Sequence, residues 1–559
     1  MENKTIARTL RLLSQLMELN EVNPFKIKSI ANAAFKVDKL PFQASGKTQE
    51  ELEKIDGIGK STAAKITELL QTGTLAEMKE MLDITPEGVV EMMGIKGIGA
   101  KKVGIIWKEL GIENVGELYY ACNENRLIEA KGFGLKTQEE IKKVIEFRMA
   151  GNGKFLYSQV EKDAKLLMDE IKGIFPDALK NLAGEFRRMN EVISELVIVV
   201  GSLNQQVAFD ALAELDMLQN VSLNGRHISA ELKNGLLVDI ICVDKADYYY
   251  ELFINTGSTE HVDAVLSRIN VPLEQPENEE LIYHKAGLTW MQPELREGDT
   301  FIERAANNNL PVLISYHDLK GTLHNHSTWS DGVNTLEEMV LYCRDELKLE
   351  YLGISDHSKS AFYAKGLSIE QVLQQQEEID HLNKKLTDFH IFKGIEADIL
   401  NDGSLDYPDE ILARFDFIVA SIHSNIKMQV DKATARLIKA IENPYTTILG
   451  HPTGRLLLSR KGYDIDYKKV IDACAANNVV IEINSNPLRL DLDWRWHQYA
   501  LDKGVMLSIN PDAHRNSGFN DMQYGIHVAR KGGLSKESCL NALSLTDIKE
   551  VFRKKNANR

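Results

Sequence analysis

The chain has 559 residues and a mass of 63.0 kDa, more than one hydrophobic core can serve, so several domains are expected. Its 43% hydrophobic and 26% charged residues are those of an ordinary soluble protein, and no apolar stretch reaches the roughly 18 residues of a membrane span. The formal net charge of −16 lies wholly in the second part: residues 1–150 hold 22 basic and 22 acidic side chains, against 44 and 60 beyond them. Nucleic-acid binding by the N-terminal part is therefore not excluded by charge.

The first segment, MENKTIARTLRLLSQLMEL, has the apolar spacing of an amphipathic helix with charges throughout, unlike a cleavable signal. Three related stretches follow: IDGIGKSTAAKITELL (55–70), IKGIGAKKVGIIWKEL (95–110) and AKGFGLKTQEEIKKVI (130–145). Each places a Gly-apolar-Gly turn before a helix that carries lysine in its first turns. The glycines Gly57, Gly59, Gly97, Gly99, Gly132 and Gly134 permit a tight backbone, and the helix N-terminus offers free N–H groups to a phosphate. With Lys60, Lys65, Lys101 and Lys102 beside them, these turns are expected to hold a nucleic-acid backbone without reading bases; turns kept only for packing are the alternative.

Residues 151–310 alternate helical stretches with short apolar strands, LVIVVGS (196–202) and LLVDIICVD (236–244). Ahead of the first strand, AGEFRR supplies a basic turn with Arg187 and Arg188, and Glu195 is the acid that interrupts the strand run. A basic turn beside a strand-end acid is a phosphate-transfer pattern, but one carboxylate is a poor cage for Mg²⁺. The stretch ERAANNNLPVLISYHDLK (303–320) reads as a join to the next part.

From residue 320 seven apolar strands alternate with helices: 321–326, 351–357, 389–399, 415–423, 446–452, 479–485 and 505–514. That pattern predicts βα units and a seven-stranded parallel barrel, with its chemistry at the C-terminal strand ends. His324, His326, Asp331, His357, Glu396, His423, His451, Asp512 and His514 all fall at or just beyond those ends. Six of the seven strands contribute, and H-N-H and D-A-H each aim two donors at one point, because residues i and i+2 share a face. Imidazole with carboxylate, and no sulfur, suits Mn²⁺, Zn²⁺ or Fe; nine ligands would serve two or three divalent ions. Such a cluster would activate water and clamp the oxygens of a phosphoester. The five scattered cysteines, Cys122, Cys242, Cys343, Cys474 and Cys539, lack C-x-x-C spacing and point to a reducing cytoplasm, not to disulfides or a thiolate site.

The H-x-H followed by SDG, then SDHS, GIEAD, SIHS, GHP, EINSNP and PDAH, resembles the PHP (polymerase and histidinol phosphatase) domain across residues 320–559. The resemblance implies one metal held by His324, His326, Glu396 and Asp512. It implies a second held by Glu396, His423 and His451, and a third by Asp331, His357 and His514. In EINSNPLRLD, Arg489 is a candidate phosphate contact, with a surface salt bridge as the alternative. Upstream, NPFKIKSIANAA, the two Gly-Ile-Gly turns, AGEFRR, LLVDIICV, NTGS and MQPELRE resemble the bacterial family X DNA polymerases, in which a DNA polymerase beta-like core precedes a PHP domain.

That resemblance implies a multidomain chain. Residues 1–85 would be a helical DNA-binding domain with the first helix–hairpin–helix, and 86–150 helix–hairpin–helix fingers. An α+β nucleotidyltransferase-like palm (151–253), a thumb (254–302), a linker (303–319) and the α/β PHP barrel (320–559) would follow. Lys65 stands where relatives place a Schiff-base lysine; a solvated or phosphate-contacting lysine is the alternative. The palm motif departs from the family: Glu185 replaces the phosphate-binding Ser, while Glu195 and Val197 replace the first two Asp, and only Asp239 matches. Ile254 and Asn255 stand where an aromatic pair is usual, and Leu266 where an arginine is. A second Gly-Ser, in GSLNQQVAFDALAELDML (201–218), lacks the arginine pair and has Asp210 and Asp216 too far apart for one strand face.

The implied protein is a DNA-repair phosphodiesterase. It would be a cytoplasmic monomer that grips gapped, nicked or 3′-ended DNA, trims 3′ ends in the barrel, could cut at abasic sites, and has no membrane partner. Templated synthesis is expected to be lost or weak. The alternatives are gap-filling synthesis that survives on Glu195 and Asp239, a DNA-binding scaffold without turnover, and a small-molecule phosphatase.

Overall fold

The structure, a computed structural model, describes all residues except Lys96, Glu129, 151–152, 202–203, 271–274 and 558–559; the side chains of 147–150 are likewise outside the description. Lys96 of the second Gly-Ile-Gly turn and Ser202 of the alternative Gly-Ser thus lie outside the described residues. The chain forms two compact units, Met1–Glu146 and Phe147–Arg559.

The first unit is helical. In its opening helix, Asn3–Leu19, the residues Ile6, Leu10, Leu13 and Met17 repeat at helical spacing and are buried against Ile30, Ala33, Ala34 and Val37 of the next helix, Pro24–Asp38. That helix starts where Asn23 caps the Phe25 N–H and Pro24 fills the first turn. At each predicted hairpin the first glycine has a positive φ: +88° at Gly57, +96° at Gly97 and +87° at Gly132. Only glycine takes such a backbone freely, so the turn depends on it.

The second unit opens with a five-stranded sheet and a small two-stranded one. In chain order the strands are β1 (Phe155–Leu156), β2 (Leu179–Leu182), β3 (Val192–Ile193), β4 (Glu195–Gly201), β5 (Leu218–Asn224), β6 (His227–Leu232) and β7 (Leu237–Val243). The larger sheet has the order β2-β4-β7-β6-β5; β4 and β7 run parallel and place Val197 opposite Asp239. Asp210, from the alternative Gly-Ser stretch, lies on the helix Gln205–Ala213 and not on a strand.

The barrel follows with β8 (Gly321–Thr322), β9 (Tyr351–Ile354), β10 (His390–Asp398), β11 (Phe417–Ser421), β12 (Ile448–Leu449), β13 (Val480–Asn484) and β14 (Leu507–Asn510). All seven are parallel and neighbours in chain order, as the sequence predicts. A bridge between Asn325 and Ala513, with the His326 N–H donating to the Ala513 carbonyl at 2.9 Å, joins the first strand to the last. β8 and β12 are shorter than their predicted segments, because the chain leaves the ladder where its ligand-bearing residues begin.

Side-chain alternation explains how the barrel makes a site. Phe417 and Val419 of β11 join Tyr351, Phe392, Ile448 and Val480 in one inner cluster, with Ile548 and Phe552 of the last helix, Leu545–Ala557. Ile418 and Ala420, of opposite parity, belong to the outer core that packs the surrounding helices. Gly353 and Gly394 share the inward parity; a Cβ on either would come within 2.7 Å or 2.3 Å of the Phe417 ring. Above this apolar floor the same parity continues into Glu396, His423, His357 and Glu482.

Sheet and barrel are fastened along the helix Met522–Lys531. Tyr524 donates to Glu161 at 3.1 Å and Arg530 to Glu294 at 2.7 Å. Lys531, fully buried, donates to the Arg188 carbonyl, Asn190 and Glu297 at 3.1, 2.8 and 2.9 Å. Glu297 also accepts from Arg188 Nε at 2.8 Å, so one carboxylate balances two cations. Glu297→Ala leaves a buried ammonium without its counter-ion and is expected to cost about 3 kcal/mol. Urea unfolding measures this, and an unchanged midpoint would contradict the assigned role.

Candidate metal centre

At the barrel mouth the structure brings together all nine residues singled out in the sequence. Glu396 is the hub. Its Oε1 lies 3.2 Å from His324 Nε2 and 3.1 Å from the Nε2 atoms of both His423 and His451. Its Oε2 lies 2.9 Å from His357 Nδ1 and 3.6 Å from His326 Nε2. Asp512 Oδ1 is 3.0 Å from His326 Nε2 and 3.6 Å from His324 Nε2, and Asp331 lies 3.6 Å from His357 and 3.4 Å from His514.

Charge follows from this packing. Burial opposes ionisation of Glu396, yet His423, His324 and His357 outweigh it and hold the carboxyl well below its ordinary range. Burial likewise opposes protonation of His324, but Glu482, Glu396 and Asp512 raise its pKa well above the usual value. His326 is lowered to about 3, by burial first and then by His514 and His357, so its ring stays neutral with a lone pair available.

The donors fit divalent metal. Among the described residues, His324 Nε2, both ring nitrogens of His326, His357 Nδ1, Asp331 Oδ2, Glu396 Oε2 and His451 Nδ1 are buried without a hydrogen bond of good geometry, although some lie about 3 Å from a neighbouring ligand atom. Buried polar atoms in native proteins are rarely left so, unless an ion completes them. Ligand atoms within 4.8 Å of one another form three sets: His326, Asp331, His357 and His514; His324, His326 and Asp512; and His357, Glu396 and His423. These overlap the three groups implied by the family resemblance without reproducing them, since His326 and His357 each reach two sets.

The sequence reading missed the groups that aim these ligands. His324 Nδ1 lies 2.7 Å from Glu482 Oε1, and Glu482 Oε2 accepts the His451 backbone N–H at 2.7 Å. Glu482 belongs to β13, the one strand to which no ligand was assigned. Asp398 pairs with His423 Nδ1, and Asn484 donates to Asp512 at 3.1 Å. The alternation rule offered a signal for Asp398 and Asn484 that went unused, since each lies two residues beyond an inward acid. Arg489 is buried, which removes the surface salt bridge as its explanation.

Elsewhere the predicted residues have protein partners. Arg187 makes a two-pronged pair with Glu279 at 3.0 and 2.6 Å and donates to Thr256 Oγ1 at 2.8 Å; Arg188 holds Glu297 and the Thr256 carbonyl. Glu185 accepts from the Ser194 backbone and hydroxyl at 2.7 and 2.8 Å, and Asp239 lies 2.9 Å from His227. Glu195 is exposed, yet partial desolvation with Asp239 and Glu185 nearby raises its pKa. In the first unit, Gly59 and Gly99 are the N-caps of their helices and supply no capping side chain. Lys60 and Lys101 are exposed, and Lys102 sits 5.4 Å from the Phe133 ring centre. Lys65, mostly buried, is paired with Glu77, which Lys26 also holds, so it is not a solvated lysine.

A parallel barrel with such a mouth defines a metal-dependent phosphoesterase of the PHP class. Residues 1–75 match a helix-hairpin-helix domain, and residues 89–146 a SAM-like helix-hairpin-helix tandem. Over 100% of both chains, the sequence is 32% identical to the DNA polymerase/3′-5′ exonuclease PolX of Bacillus subtilis (strain 168). Part of the chain is also similar to smaller proteins. A probable phosphatase of Thermoanaerobacter sp. (strain X514) is 28% identical over 31% of this chain and 72% of its own. One of Caldicellulosiruptor bescii is 30% identical over 32% of this chain and 73% of its own. The chain belongs to the bacterial family X DNA polymerases of the PolX type, with a C-terminal PHP domain. Among the described residues no helix is long and apolar enough to cross a membrane.

Glu482→Gln keeps the shape of the side chain but removes the charge that orients His324. Loss of such a supporting contact typically weakens metal binding about 10- to 100-fold. Titration of metal-free protein with Mn²⁺ should show that drop, and wild-type affinity in the variant would contradict the positioning role.

Proposed function

We propose that the barrel mouth is a phosphodiesterase that shortens DNA from its 3′ end, while the helix–hairpin–helix unit holds the DNA by its phosphates. The observation that carries this reading is the single buried carboxylate of Glu396 with five imidazoles turned toward it. Two or three divalent ions, Mn²⁺, Zn²⁺ or Fe, would be held by the nine side chains and would activate water and polarise the phosphoester. His324, His326 and Asp512 form one gripping set, with Glu482 and Asn484 fixing their orientation. His357 and His423 form another with Glu396, and Asp398 turns the His423 ring toward it. The deep apolar floor closes the barrel below, so substrate reaches these groups only from the mouth.

The relative from Bacillus subtilis bears a name that joins DNA polymerase and 3′-5′ exonuclease, and its length matches this chain throughout. On this reading residues 1–150 grip gapped, nicked or 3′-ended DNA, with Gly57, Gly59, Gly97, Gly99, Gly132 and Gly134 presenting backbone N–H groups. Residues 151–253 and 254–302 are palm and thumb, 303–319 the linker and 320–559 the barrel of a cytoplasmic monomer. Synthesis is lost or weak, because Glu185 replaces the phosphate-binding Ser, Val197 can ligate no metal, and Arg187 and Arg188 of the basic turn already hold Glu279 and Glu297. Lys65, with its ammonium paired to Glu77, is poorly set up as a Schiff-base nucleophile, which must be neutral. One observation favours residual synthesis: beside partial burial, Asp239 and Glu185 lie close enough to Glu195 to raise its pKa.

The double variant His324→Ala with His326→Ala tests both readings on a labelled gapped duplex with Mn²⁺ and deoxynucleotides. Loss of 3′ shortening with no extension is expected. Continued shortening would contradict the exonuclease assignment, and primer growth would restore the palm as a working polymerase.

A further inference from the structure

The loop that leaves β9 after His357 is tightly built and carries an aromatic ring that the metal centre does not use. The Ser358 N–H donates to the Glu396 carbonyl at 3.0 Å, and Leu367 N–H to the His357 carbonyl at 2.8 Å, so both loop ends are tied to ligand residues. The Ser360 N–H donates to Asp406 at 2.6 Å and Gly366 N–H to the Ala361 carbonyl at 3.0 Å. A Cβ on Gly366 would come within 1.9 Å of the Ser358 carbonyl oxygen, so only glycine closes this loop.

At its tip Phe362 is 80% exposed. An exposed benzyl group forgoes the burial that normally places phenylalanine inside. Tyr363 meets it edge-on, centroids 6.1 Å apart at 75°, and itself lies 6.4 Å from the His357 ring. A short aromatic relay thus runs from solvent through Tyr363 to the metal-ligand candidate His357. Lys359 and Lys365, both exposed, flank it in sequence.

We propose that Phe362, backed by Tyr363, is the stacking platform for the terminal nucleobase of the DNA strand whose 3′ end enters the barrel mouth. This rests on the exonuclease reading and adds the subsite that grips the base. A lone ring between lysines matches the way single-stranded nucleic acid is held, by a π-face for the base and cations for the backbone. It does not match a protein-docking face, which needs contiguous apolar surface. Stacking accepts any base, so the platform would grip without sequence preference and would not serve a terminus that lacks one.

The test compares full-length wild type, Phe362→Ala and Phe362→Trp on single strands ending in an ordinary nucleotide or in an abasic residue. The ratio of shortening rates, ordinary over abasic, should fall about tenfold in Phe362→Ala and recover in Phe362→Trp. In metal-free protein, a 3′-terminal 2-aminopurine should be quenched by wild type and not by Phe362→Ala. An unchanged ratio, an equal loss on both ends, or equal quenching by the two proteins would overturn the proposal. Wild-type protein that shortens neither strand would instead overturn the exonuclease reading, and the quenching comparison would still decide whether Phe362 binds a base.

Discussion

One buried carboxylate governs this molecule. Glu396 stands at the height in the barrel where inward-facing residues change from apolar to ligand, with five imidazoles within 3.6 Å of its two oxygens. Below it Phe417, Phe392 and Tyr351 exclude water; around it the excess of basic donors keeps the carboxyl ionised despite its burial. Buried ring nitrogens and carboxylate oxygens left without hydrogen bonds are costly to keep unless cations complete them. The supporting pairs of Glu482 with His324 and Asp398 with His423 make sense as the means of holding rings ready for them.

The sheet upstream is tied to the barrel by buried ion pairs. The turn AGEFRR has its two guanidinium groups held by Glu279 and Glu297, and Glu297 also neutralises Lys531 from the barrel. The basic turn has become part of the joint between sheet and barrel. Val197 stands opposite Asp239, whose Oδ2 lies against His227 while its Oδ1 is buried without a hydrogen bond among the described residues.

Much of this could be read before any coordinates. Period-two alternation and the rule that chemistry sits at C-terminal strand ends pointed to the side chains that the structure gathers at the mouth, Asp331 beyond its strand excepted, because both are local properties of a strand. The φ-positive glycines of the hairpins were legible for the same reason. Glu482 was not, since its strand supplies no ligand and its role exists only across the barrel, 158 residues from His324. The partners of Arg187 and Arg188, 92 and 109 residues away, were hidden likewise, and Lys531 near a helix end reads as a surface lysine until its burial is seen. Nothing in the letters tells that Phe362 faces solvent while its neighbour Tyr363 leans on His357.

The central claim is that the mouth gathers divalent cations around Glu396. Elemental analysis of the intact protein, loaded with Mn²⁺ or Zn²⁺ and freed of excess, measures this beside a Glu396→Gln variant. Two or three equivalents per chain in wild type, and a clear deficit in the variant, are predicted. A wild-type chain with no stoichiometric metal, or a variant that retains the full complement, would contradict the account.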